Sequence, residues 1–159
     1  MKKLILVAFV AGAIGFVAGN AFWYLASPLW IDQVVAEGIG ESQAAKVLAS
    51  GTFTDADAAH SGSGSATIFE GSDGRRTLRL ADFEVTNGPD LEVWLVAAAD
   101  ITQSSDVAKS EWLALGQLKG NIGDQNYDIP ADADLSKYNS VVIWCEQFGV
   151  LFSPARLSR

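Results

Sequence analysis

The chain has 159 residues, 49% of them hydrophobic, with 19 acidic against 11 basic side chains and a net charge of −8. That length suits one domain with a core plus a short appendage and excludes two ordinary domains. The single cysteine excludes an internal disulfide.

Residues 4–26, LILVAFVAGAIGFVAGNAFWYLA, contain no Asp, Glu, Lys, Arg or His. As a helix they reach about 35 Å, enough to cross the apolar core of a bilayer, so residues 1–26 are expected to form a transmembrane anchor. A cleaved signal peptide is the rival reading, since Lys2 and Lys3 give a basic start and Gly19-x-Ala21 is a small-x-small cleavage site. Two features oppose cleavage. The apolar run exceeds the ~7–15 residues of a signal core, and Phe22, Trp23, Tyr24 and Trp30 resemble an interfacial aromatic belt. Lys2 and Lys3 precede the span and only acids (Asp32, Glu37, Glu41) follow soon after it. The positive-inside bias then leaves the N-terminus cytoplasmic and the body of the protein extracytoplasmic. Ala11, Gly15 and Gly19 fall four apart on one helical face, a small-xxx-small stripe that offers a route to a homodimer.

Past the anchor the 11 basic residues lose Lys2 and Lys3, leaving 9 against 19 acidic ones and a net charge of −10. Such a surface makes nucleic acid and anionic lipid headgroups poor partners. Residues 27–50 read as a juxtamembrane stalk. Ser27-Pro28 has a helix N-cap signature, Leu29, Ile31, Val34 and Val35 recur loosely at helical spacing, and ESQAAKVLAS adds another turn or two after Gly38 and Gly40.

From Gly51 to Arg159 the pattern changes to short apolar runs separated by turn chemistry such as GSDG, TNGPD and NIGD. Strands are expected at 66–70, 76–83, 91–97, 112–118, 125–129, 140–146 and 150–157. Seven to nine short strands without a long helix predict an all-β, Greek-key-like β-sandwich. In SVVIWCE, Val141, Ile143 and Cys145 share one face and Val142, Trp144 and Glu146 the other, so this strand is expected to be central with Cys145 inward.

The residues alone leave the chemistry open. Cys145 reads as a small apolar filler or as a functional thiol, and neighbouring Glu146 disfavours the thiolate. His60, the one histidine, lies in the polar stretch AAHSGSGSA as a solvated loop residue or a ligand. One Cys and one His cannot close a zinc site, whereas haem needs only one or two axial ligands. SGSGS lacks the lysine and following helix of a phosphate loop and fails G-x-S-x-G, so it reads as a flexible turn. The turn acids Asp55, Asp57, Asp73, Asp82 and Asp90 match no EF-hand spacing.

The stretches GTF at 51, HSGSGSATI at 60, LRLADFEVTNGPDLEVWL at 78, LGQLKGNIGDQNYDIP at 115 and YNSVVIWCEQFGVLFSPARL at 138 resemble the electron-transfer DM-thirteen domain family, a β-sandwich group considered a relative of the DOMON domains. The resemblance implies that Cys145 is the family's hallmark cysteine, acting as a naked thiol or holding a prosthetic group such as haem. It makes His60 the first candidate for a second ligand or proton partner. Asp90 and Lys119 also fall on the family pattern, as turn and loop-end residues. In β-sandwich relatives a cofactor enters the apolar space between the sheets, so Ile143, Trp144 and Phe148 are wall candidates. The span holds no histidine, so a redox partner must arrive in trans. The expected function is therefore a membrane-anchored extracytoplasmic redox module built on Cys145 and His60. The alternative is a non-catalytic binding module with a structural cysteine, and a hydrolase is disfavoured by the lack of a nucleophile motif.

Overall fold

Residues 76–85 show how the pattern becomes structure. Leu78 and Leu80 turn inward at strand spacing, and then the buried set shifts by one, to Phe83 and Val85. A bulge between Leu80 and Glu84 accounts for the shift, and within it Asp82 takes φ +49° and donates its amide to the Asp124 carboxylate. The extra residue bends the strand and keeps four apolar side chains on the core side.

The computed structural model describes residues 2–27, 30–40, 44 and 46–159. Among them are nine strands: β1 (Val34–Ala36), β2 (Lys46–Thr52), β3 (Gly62–Glu70), β4 (Arg76–Val85), β5 (Leu91–Val96), β6 (Trp112–Gln117), β7 (Ile122–Ile129), β8 (Ser140–Cys145) and β9 (Val150–Arg156). Two α-helices accompany them, α1 (Lys2–Ala26) and the short α2 (Ser104–Ala108), with a 3-10 turn at Leu135–Lys137. The strands form a five-stranded sheet in the order β1-β7-β4-β3-β2 and a four-stranded sheet in the order β6-β5-β8-β9. All pairs are antiparallel except β1 with β7. The result is the all-β sandwich expected from the run of short strands.

Leu78, Leu80 and Phe83 of the larger sheet meet Val93, Leu95, Val141 and Ile143 of the smaller one in the main core. Each such side chain contributes roughly 1.5–3 kcal/mol by leaving water. A second cluster covers the outer face of the smaller sheet, where Ile101 and Val107 of the α2 region lie over Val96, Val142, Trp144 and Leu151. Every residue of β8 is buried, because both of its faces are covered.

The helical stalk expected at 27–50 is not what forms over much of that segment. Val34–Ala36 and Lys46–Thr52 are instead the two edge strands of the larger sheet. The Ser27-Pro28 cap and the start of ESQAAKVLAS fall partly outside the described residues. Sequence reading missed β1 because what holds it lies elsewhere in the chain. Arg79 reaches the Glu37 carbonyl, Lys119 Nζ meets the Glu37 carboxylate at 2.9 Å, and the Asn121 side chain accepts from the Gln33 amide at 2.7 Å. Gly123, at φ +97°, presents no Cβ where one would collide with the Val35 carbonyl.

Residues up to Ile31 form one compact unit and Asp32–Arg159 a second. In the first, α1 is apolar around its circumference and exposed over residues 2–23, and residues Lys2–Trp23 are long and apolar enough to cross a membrane.

Candidate functional site

Cys145 is the last residue of β8, paired with Leu91 of β5 and Val150 of β9. Strand alternation turns it into the main core with Val141 and Ile143, and 1% of its surface is exposed. Its thiol donates to the Pro89 carbonyl at 3.1 Å. The surrounding backbone is closed by the Glu146 amide on the Asp90 carbonyl and the Gly149 amide on the Cys145 carbonyl. Gly88-Pro89-Asp90 is thus a shaped turn, with Asp90 at φ +52°, that presents a carbonyl to the sulfur. Burial pushes the Cys145 thiol up from its ordinary value, and the negative charge of Asp90 adds to this; the amides of Phe148 and Gln147 oppose it. The sulfur is held in its protonated form.

His60 lies just before β3. Its Nδ1 meets the Asp57 carboxylate at 2.9 Å, and its ring lies 4.3 Å from that of Phe152. The imidazole, first of all, together with the Ala59 amide, holds the Asp57 carboxyl below its usual range. Cys145 and His60 are therefore engaged by separate partners, and no hydrogen bond joins them. What links the two is Phe152, which touches the His60 ring and belongs to the same core as Cys145.

Of the three wall candidates, Ile143 lies in the main core between the sheets, and Trp144 and Phe148 do not. Trp144 follows Ile143 and precedes Cys145, so alternation sends it to the opposite face, into the outer cluster. Phe148 occupies the β8–β9 turn with its ring 64% exposed, and only its backbone amide bears on the sulfur. Lys119 is held by Glu37 and by the Asn126 carbonyl and serves the β1 edge.

Cys145 does not fit the role of a haem thiolate. A thiolate ligand must be deprotonated and open to the iron, whereas Cys145 is sealed, holds its proton and donates it to Pro89. His60 gives Nδ1 to Asp57, which leaves Nε2 outside that bond, so the misfit to haem is that of the sulfur.

The structure also brings together residues that spacing did not reveal. On the outer face of the smaller sheet, the rings of Trp112 on β6 and Trp94 on β5 stack at 4.1 Å and 16°, and Trp94 and Trp144 on β8 lie 5.4 Å apart. Trp94 Nε1 donates to the Glu92 carboxylate at 2.7 Å. Three indoles on three adjacent strands become neighbours only once the register is set, with Trp94 opposite Ala114 and Val142. Their one signal in the sequence is that each sits on the outward parity of its strand.

The family model for the Electron transfer DM13 domain matches residues 52–157. The chain belongs to that family, which carries a general redox or electron-transfer role. No curated protein and no solved structure matches it.

Proposed function

We propose that the protein is a membrane-anchored, extracytoplasmic electron-transfer module whose redox group is Cys145, acting as a buried thiol rather than as a nucleophile or a haem ligand. A partner arriving in trans, an outer-sphere one-electron acceptor, takes one electron; the S–H bond breaks, the proton leaves to water by way of the exposed Asp90 carboxylate on the turn over the sulfur, and a thiyl radical remains. The carrying observation is the sulfur itself, fixed by Pro89 and shut off from solvent, in a domain of an electron-transfer family. Such a thiol is closed to disulfide exchange, which requires direct attack by or on sulfur. It remains open to electron transfer, which does not. Anchoring through α1, with the N-terminus cytoplasmic, is supported by the apolar length of the helix and by Lys2 and Lys3 before it.

The test is the number of electrons given to hexachloroiridate(IV) by the full-length protein and by Cys145→Ser. The serine hydroxyl can still donate to Pro89, so the fold should persist. The wild type should give one electron more. Equal counts would sink the redox reading and favour the second one, a binding module with a structural cysteine, which the same burial of Cys145 supports.

A further inference from the structure

A sealed thiol needs a path for its electron. The Trp112 indole is half exposed on β6, an edge strand of the smaller sheet. Trp94 and Trp144 behind it are each 5% exposed. The stack therefore runs from solvent into the protein and ends on the residue bonded to Cys145. Rings at 4.1 Å overlap their π-systems, and the 5.4 Å step is still a direct ring contact. The middle ring carries a further device. Removing an electron from an indole leaves a radical cation with an acidic N–H, and the Glu92 carboxylate on Trp94 Nε1 supplies both the opposing charge and a proton acceptor. On the core side the cross-strand partners of Cys145 are the aliphatic Leu91 and Val150, neither of which is readily oxidised.

We propose that Trp112, Trp94 and Trp144 are the route by which an electron passes from Cys145 to an acceptor at the surface, with Trp112 as its exit. The inference rests on the reading of Cys145 as the electron donor. The acceptor, an outer-sphere one-electron oxidant, takes an electron from Trp112; Trp94 refills Trp112, and Trp144 refills Trp94. The Cys145 thiol supplies the last electron and loses its proton. In sum one electron reaches the acceptor, one proton reaches water, and only the S–H bond breaks.

The experiment uses the full chain in detergent micelles with Trp23→Phe and Trp30→Phe, because those two indoles are also exposed and would be oxidised independently. Photogenerated tris(bipyridine)ruthenium(III) is the oxidant, transient absorption follows the indolyl radical, and a spin trap with electron paramagnetic resonance reports the thiyl. The expected result is an indolyl signal that decays into a trapped thiyl. In Trp112→Phe the thiyl signal is lost, although an exposed edge residue leaves the fold intact. Trp112→Tyr, which restores an oxidisable ring, recovers it. An undiminished thiyl yield in Trp112→Phe would overturn the relay while leaving Cys145 as the donor. Absence of thiyl in every protein, with an indolyl lifetime the same in Cys145→Ser, would overturn the donor and the relay with it.

Discussion

The burial of Cys145 makes a quantitative demand on its reactivity. For a disulfide reagent to reach the sulfur, the end of β8 must come away from β5 and from the β8–β9 turn. That opening breaks three hydrogen bonds: the thiol on Pro89, the Glu146 amide on Asp90 and the Gly149 amide on Cys145. At roughly 1 kcal/mol net each, with about 1 kcal/mol for exposing the side chain, the opening costs about 4 kcal/mol. Since 1.4 kcal/mol is a factor of ten, labelling of the native chain should be slowed about 10³-fold relative to the unfolded chain. The raised thiol pKa lowers the reactive thiolate further in any opening that keeps Asp90 beside the sulfur. The assay is the pseudo-first-order rate with dithiobis(nitrobenzoate) at pH 8, for full-length protein in detergent with and without denaturant. A native rate within about tenfold of the denatured one would mean an opening of under about 1.4 kcal/mol. The sealed-thiol argument would then fail, and a directly reacting or ligating cysteine would return.

Stability should also report the thiol. With its folded pKa raised, Cys145 keeps its proton in the folded state after the unfolded chain begins to lose it near pH ~8.5, so stability falls as pH rises from there. Denaturant melts at pH 8 and 9.5 should show this fall in wild type and not in Cys145→Ser; burial of the Tyr127 phenol adds a loss of the same sign above pH ~10. Tyr127→Phe removes the donor to Gln125 Oε1 and the acceptor of the Lys119 amide, both near the core, and should destabilise by roughly 1–3 kcal/mol in urea melts. Gly123→Ala adds a side chain at positive φ against the Val35 carbonyl, and should lower stability by about 1–2 kcal/mol or more while amide exchange of residues 34–36 accelerates selectively. For the proposed topology, protease added outside intact cells expressing the chain should remove the β domain; protection until lysis would reverse the orientation.

The division between what the sequence disclosed and what it withheld follows the range of the interactions. The seven strands from β3 to β9 are marked by local alternation and by turns rich in Gly, Asn and Asp, and all seven form. β1 and β2 are not locally marked. The three residues of β1 are ordered by Arg79, Lys119 and Asn121, which lie about forty or more positions away along the chain. The inward placement of Cys145 was legible because parity along one strand fixes it. The same parity argument, carried one residue further, keeps Trp144 out of the inter-sheet space, where the family resemblance places a cofactor wall. The indole stack depends on the pairing of β6 with β5 and of β5 with β8 together, information that belongs to no single segment.

The position of Trp144 then changes what the cysteine can be. One peptide unit separates a residue facing the core from a residue facing the outer cluster, so the β8 backbone is a direct covalent link between the sealed sulfur and the indoles. A cysteine whose only role was to fill space would be indifferent to which ring preceded it. An electron donor would not be, because tunnelling falls steeply with distance and a phenylalanine at that position is much harder to oxidise. Trp144→Phe is therefore the substitution that separates the two roles. It keeps most of the packing against Val96, Val142 and Leu151, and it should cost about 1–3 kcal/mol of stability as a large-to-small replacement. If Cys145 is structural, the electrons given to hexachloroiridate(IV) should fall only by those of the missing indole. If Cys145 donates through the stack, its own electron should disappear as well, with the thiol still titratable after denaturation.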